Sequence, residues 1–158
     1  MRREHFDIAR ASIDDDQDIV PLMAAFNQAE GIEWQPPTMV PALRDLLRRP
    51  DIGLVLLARD RASGAAAGYA IATYGFDIEF AGADAVLTEL FVDARFRGRG
   101  VGRGLLESVE RAVRERGCHA LHLMVRPENA VARSLYERAG FHTVPRLFMT
   151  KALLPGGE

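Results

Sequence analysis

The stretch Phe91-Val92-Asp93-Ala94-Arg95-Phe96-Arg97-Gly98-Arg99-Gly100-Val101-Gly102-Arg103-Gly104 leaves an apolar, alternating run and enters a periodic one. Glycines at every second position from Gly98 to Gly104 let a ligand approach the backbone closely, and the N–H groups that open a helix attract phosphate. Arg97, Arg99 and Arg103 flank them, so the turn reads as a pyrophosphate site made of backbone amides and guanidinium groups. Two other phosphate loops fail on spacing. A dinucleotide fingerprint needs glycine at position 103 or 105, where Arg103 and Leu105 stand, and the G-K-[ST] of a P-loop is absent. Beyond the turn, Val101, Leu105, Val109 and Val113 recur every four residues, which predicts an amphipathic helix over 100–116 closed by Gly117.

Working outward, Phe6 to Ala11 alternates as a strand does, and Ser12 and Asp14 offer N-caps for a helix whose apolar stripe is Ile19, Leu22, Met23 and Phe26. The run Asp14-Asp15-Asp16 suits the positive end of that helix and is read as its start, not as a metal site. Residues 31–37 break the helix, and a second one carrying Val40, Leu43, Leu46 and Leu47 ends at Pro50. Ile52 to Arg59 and Ala65 to Tyr74 form a predicted hairpin, followed by a strand over Ala85 to Val92. Ala120 to Val125 is a further strand, Asn129 caps a helix carrying Ala132, Leu135 and Ala139, and Arg146 to Ala152 is expected as a last strand. The order β-α-α-β-β-β-α-β-α-β predicts an α/β (α+β) fold. Its sheet is mixed and mostly antiparallel, with one right-handed parallel crossover from Ala85 to Val125.

The 158 residues are 48% hydrophobic and 27% charged, which predicts one globular domain over residues 1–158 and excludes a disordered chain. A formal charge of −2 argues against nucleic-acid and membrane-surface partners. The charge is unevenly spread: residues 1–93 hold 8 basic and 16 acidic side chains, residues 94–158 hold 12 and 6. An anionic ligand on the later part, and a cationic one facing the earlier part, would each meet the opposite sign. One cysteine, Cys118, leaves no internal disulfide and no cysteine zinc site; it reads as a small core residue, and the cytoplasm is the expected compartment. No apolar run opens the chain, so no signal peptide or transmembrane helix is expected there. The histidines show no ligand spacing beyond an i, i+3 pair, His119 and His122, which a strand sets on opposite faces; no metal is expected.

Arg97, Gly100 and Gly102 match R/Q-x-x-G-x-G/A, the signature of the GCN5-related N-acetyltransferase (GNAT) superfamily, which this sequence resembles. Leu87 to Asp93 looks like that family's fourth strand, and Asn129-Ala130-Val131-Ala132-Arg133-Ser134-Leu135-Tyr136 with Gly140-Phe141 looks like its N-x-x-A-x-x-x-Y…G-F segment. The resemblance implies a twisted sheet with a splayed central parallel strand pair, flanked by about four helices. It implies acetyl-CoA in the splay, its pantetheine arm on the backbone of Leu90, Phe91 and Val92. The pyrophosphate would lie on Arg97, Gly98, Arg99, Gly100, Val101, Gly102 and Arg103, with Asn129, Ala132 and Tyr136 also at the cofactor.

Amine acetylation needs a base for the ammonium and a proton for the leaving thiolate. The resemblance implies Glu89 as the base and Tyr136 as the acid, with backbone amides of residues 90–92 at the oxyanion. It also implies an acceptor side formed by Glu33, Trp34, Tyr74, Phe76, Asp77, Glu79 and Phe80, where rings and carboxylates suit a small cationic amine. A protein N-terminus or lysine is the next acceptor, an antibiotic amine the third. A non-catalytic acetyl-CoA sensor is a further reading, and homodimerisation through the C-terminal strand is expected.

Overall fold

The computed structural model describes residues 5–154. They fall into two compact units, divided after Met124.

In the first unit, β1 (Phe6–Arg10) leads through a 3-10 turn at Ile13–Asp15 into α1 (Asp16–Glu30), followed by α2 (Pro36–Arg48). Then come β2 (Gly53–Asp60), β3 (Ala66–Asp77), β4 (Gly82–Val92), a 3-10 turn at Ala94–Phe96, α3 (Val101–Glu115) and β5 (Ala120–Leu123). The five strands lie in the order β1-β2-β3-β4-β5. All neighbours are antiparallel except β4 and β5, which are parallel, as a crossover through α3 requires.

The helices form where the apolar spacing demands. In α1, Ile19, Leu22 and Met23 are buried and pack with Leu43 of α2 against Val55, Leu57, Tyr69 and Ile71 on one sheet face. In α3, Val101, Leu105, Leu106, Val109 and Val113 are buried, and Leu105 comes close to Gly68 from the opposite face. Burying each such aliphatic side chain contributes on the order of 1.5–3 kcal/mol. The acidic run works as a helix start: the Ser12 N–H donates to Asp15 Oδ2 (2.8 Å), Arg59 of β2 reaches Asp15 and Asp18 (2.8 Å each), and Arg44 of α2 reaches Asp16 (2.6 Å).

The second unit contains α4 (Ala130–Arg138). The strand expected over Arg146 to Ala152 is absent: residues 141–154 form no ladder. A strand exists only when its N–H and C=O groups find a partner edge, and among the described residues this unit holds no other strand.

Candidate active site

The site is built on an irregularity in β4. Ile71 of β3 stands opposite Glu89 and Ala72 opposite Leu87, so Thr88 is an extra residue, a β-bulge. The Thr88 hydroxyl donates to the Ile71 carbonyl (3.2 Å). Ala85 and Leu87 point to the α3 face, and strict alternation would send Glu89 after them. The extra residue turns Glu89 onto the α1 face instead, alongside its cross-strand partner Ile71 and next to Tyr69. There the hydroxyl of the buried Tyr69 donates to Glu89 Oε1 (3.4 Å). Burial pushes the Glu89 carboxyl up to about 7, against the lowering effect of the Tyr69 bond. Glu89 has no ion-pair partner among the described residues. A carboxylate poised near neutrality can take up and release a proton in that range.

Phe91 follows on the same face, its ring 6.4 Å from those of Tyr69 and Phe26. It forms one wall of a groove of about 350 Å³ lined also by Ala25, Gln28 and Ala29 of α1 and by Asp93, Ala94 and Arg97. The pairing of β4 with β5 ends at Leu87 and Leu123, while β4 runs on to Val92. Leu90, Phe91 and Val92 thus carry no β5 partner, because β5 ends at Leu123.

At the far end of β4 the chain turns. Asp93 Oδ1 accepts from the Arg95 N–H (2.9 Å), and the Arg95 side chain holds the Asp93 carboxyl below its usual range. Gly98 and Gly100 have φ of +73° and +86°, where an added Cβ would meet open space but the backbone would be strained. The α3 ladder begins with the Gly104 N–H donating to the Gly100 carbonyl (3.0 Å), and no side chain caps the helix. The amides of Val101, Gly102 and Arg103 are therefore left to an external acceptor.

The three arginines differ. Arg97 lies over the Phe91 ring (5.6 Å) and donates from Nε to the Val92 carbonyl (3.1 Å). Arg99 is spent on the fold, over the rings of Phe6 (5.0 Å) and Phe96 (5.6 Å) and 3.9 Å from Asp60. Arg103 pairs with Glu107 one turn on (2.9 Å).

The acceptor-side residues scatter. Trp34 packs half-buried against the α1 core, and Glu33 is exposed beside Gln35 (3.2 Å). Tyr74 lies on the sheet face opposite Glu89, its ring under the Arg116 guanidinium (3.8 Å). Phe76 shares that parity and is 71% exposed. Asp77 is on the Glu89 face, its Oδ1 accepting from the Glu79 N–H (2.9 Å), and Phe80 meets the His122 ring edge-on (5.4 Å). The Cys118 thiol donates to the Asp84 carbonyl (3.6 Å), and burial pushes its pKa up, which suits a packed thiol.

In the second unit, Asn129 Oδ1 caps α4 by accepting from the Ala132 N–H (3.1 Å). Tyr136 is buried with its ring edge-on to Phe141 (5.9 Å).

Sequence reading missed Tyr69 and Thr88. The signal was there in part: the α3-face residues Ala85, Leu87, Leu90 and Val92 step by two, three and two, and the odd step marks the bulge.

A sequence model described as the acetyltransferase (GNAT) family matches residues 19–141. An acetyltransferase of Pectobacterium atrosepticum is 31% identical over 125 residues, 79% of this chain and 81% of that protein. An integron cassette protein from the mobile metagenome of Cole Harbour Salt Marsh superposes with a TM-score of 0.82 at 29% identity, covering 94% of this chain and 91% of that one. An aminoglycoside N-acetyltransferase solved in complex with CoA shares the fold, with a TM-score of 0.79 at 22% identity over 94% of this chain and 95% of its own. With its mixed five-stranded sheet, its bulged β4 and its glycine turn into α3, this chain belongs to the GNAT family of acetyltransferases.

Proposed function

We propose that this chain is a single-domain N-acetyltransferase that moves the acetyl group of acetyl-CoA to a primary amine, above all a small cationic one, by direct attack. The observation that carries this reading is the Glu89 carboxylate, half-buried, without an ion-pair partner among the described residues, and pushed up to about 7 at the bulge of β4.

The residues fit the cosubstrate. The uncapped start of α3, the positive-φ glycines and Arg97 suit a pyrophosphate. The unpaired backbone of Leu90, Phe91 and Val92 suits an amide-bearing arm that adds as a strand would. Acetyl-CoA supplies an activated thioester carbonyl. Glu89, directly or through water, accepts the proton of the substrate ammonium. The amine nitrogen then forms a C–N bond to the carbonyl carbon as the C–S bond breaks, Tyr136 gives its proton to the leaving sulfur, and the surplus proton of the nitrogen passes to solvent, from which the Tyr136 phenolate is reprotonated. Asn129 and Ala132, at the start of α4, are assigned to the cofactor arm.

For the acceptor, Glu33, Trp34, Asp77, Glu79 and Phe80 supply carboxylates and rings on the acidic part of the chain. Tyr74, stacked under Arg116 on the other face, is left with a packing role. The low cysteine content, Cys118 alone, supports a reducing, cytoplasmic setting, and no described helix is long and apolar enough to cross a membrane. A homodimer is supported by the run of exposed apolar side chains Leu147, Phe148, Met149, Leu153 and Leu154, 74–91% accessible.

The test is CoA release from acetyl-CoA, read with a thiol reagent across small amines and peptides, for wild type, Glu89→Gln and Tyr136→Phe. Amine-dependent release that falls by roughly 10²–10⁴ in both variants is expected. Release with peptides alone would point to a protein acceptor. Tight acetyl-CoA binding without release on either panel would point to a sensor.

A further inference from the structure

Away from Glu89, near the tip of the β3–β4 hairpin, three strands bring together a set of side chains of which the acetyl-transfer reading uses only Asp77, on its acceptor side. Asp77 closes β3, Asp84 lies near the start of β4, and His122 lies on β5. The registers Gly75 with Asp84 and Val86 with His122 put all three on one sheet face, the face that carries Glu89. One donor atom from each lies within 4.8 Å of the other two.

His122 Nε2 is buried, 3.2 Å from Asp84 Oδ2 and 3.8 Å from Asp77 Oδ2, yet it makes a hydrogen bond with neither. A buried polar atom without a partner costs on the order of 1–3 kcal/mol. A bare carboxylate pair would satisfy the ring by a bond along its N–H; here the nitrogen makes no such bond, although Asp84 Oδ2 is 3.2 Å away. The supports are fixed independently. Asp77 Oδ1 is tied to the Glu79 N–H in the hairpin turn (2.9 Å), which leaves Oδ2 toward the ring. Phe80 sets the imidazole from its edge (5.4 Å), and the Asp84 side chain is only 13% exposed.

We infer that Asp77, Asp84 and His122 form a site for one divalent first-row transition metal ion, of the zinc type. Two carboxylates neutralise the charge, and the imidazole selects against magnesium and calcium, which take oxygen ligands. The separations of His122 Nε2 from the two carboxylates, 3.2 and 3.8 Å, are those of neighbouring ligands each about 2.1 Å from a common centre. All three donor atoms lie within 4.8 Å of one another, so that the ion draws the set together by a few tenths of an ångström at most where a pair exceeds about 4.2 Å. Three protein ligands leave further positions to water. The ion ties the hairpin tip to β5. Sequence spacing pointed away from a metal because each ligand comes from a different strand, and of the one regular pair, His119 and His122, only His122 is in the cluster, His119 lying just before β5.

The test uses the full-length, tag-free protein stripped with chelator, titrated with Zn²⁺, Mn²⁺ and Mg²⁺ by calorimetry and by thermal shift. One equivalent of Zn²⁺ is expected to bind and raise the melting temperature, with no response to Mg²⁺. Affinity should fall on the order of 100-fold in His122→Ala and in Asp84→Asn. Glu89→Gln, outside the cluster, should bind as wild type does, so the result is independent of the transferase reading. Folding of each variant is checked by circular dichroism and by acetyl-CoA binding. Absence of saturable Zn²⁺ binding, an equal response to Mg²⁺, or binding that survives His122→Ala in a folded variant overturns the assignment.

Discussion

At Glu89 a half-buried carboxylate leans on one phenol, and its behaviour with pH follows from that pair. Desolvation holds the acid form to about 7, while the Tyr69 hydroxyl stabilises the carboxylate and so works in the opposite direction. With Glu89 as the base, kcat/KM should rise through an acidic limb near pH 7. Tyr69→Phe removes the stabilising bond and should move that limb to higher pH, whereas Glu89→Gln should abolish it; pH–rate profiles of the three proteins decide this. The same shift has a thermodynamic side. The unfolded glutamate loses its proton near 4.5 and the folded one near 7, so folding is penalised progressively as pH rises between the two. Glu89→Gln should therefore be more stable than wild type at pH 8, on the order of 2 kcal/mol, and no more stable at pH 4, as urea melts at the two values will measure. The arginines of the turn separate likewise. Arg97 stands at the groove and Arg99 between Phe6, Phe96 and Asp60. Arg97→Gln should weaken acetyl-CoA binding roughly tenfold with little change in melting temperature, and Arg99→Gln should do the reverse; calorimetry and thermal melts read the two effects apart.

At the scale of the element, the glycine turn was legible because its message is local. Positive φ at Gly98 and Gly100 and an uncapped helix start are written in residue types within a few positions of each other. The helices α1 and α3 were legible for the same reason, their stripes being periodic over four or five turns. The bulge was not, because a single extra residue shows only in the register against β3, and that register decides which face Glu89 occupies. The same limit hid Tyr69, whose role depends on a cross-strand partner twenty positions away. It also misplaced Tyr74, which alternation along β3 sends to the α3 face. The turn permits a clean test of conformation against contact. An added Cβ at Gly100 meets nothing, so Gly100→Ala acts through φ alone, at a cost of about 1–2 kcal/mol. The expected result is a melting temperature lower by several degrees and acetyl-CoA affinity reduced at least tenfold, because the α3 amides lose their alignment. Gly64→Ala, in the turn between β2 and β3, has a similar φ of +74° and open space. It should cost comparable stability while leaving acetyl-CoA affinity unchanged.

For the whole molecule, the order of elements up to α4 followed from patterns each segment carries by itself, while the last strand failed because its existence depends on a partner. Residues 146–152, where the strand was expected, carry no ladder, and Leu147, Phe148 and Met149 are 91%, 74% and 88% exposed. β5 is at the edge of the sheet and pairs with β4 on one side only, and an unpaired edge is a template for a strand from another chain. On the proposed homodimer, a second copy of the chain offering its own apolar segment to that edge would satisfy both surfaces by a closed twofold exchange. The protein should accordingly run in light-scattering chromatography at twice its 17.4 kDa chain mass at micromolar concentration. Leu147→Asp with Met149→Asp puts two charges on one side of the segment and should yield a folded monomer, with the circular dichroism of the first unit retained. A wild-type protein that is monomeric at tens of micromolar, or a double variant that stays dimeric, would remove the exchange. The second result would direct attention to other surfaces of the first unit, since aspartates at two of the most exposed apolar positions cannot be buried in an interface without a large loss of affinity.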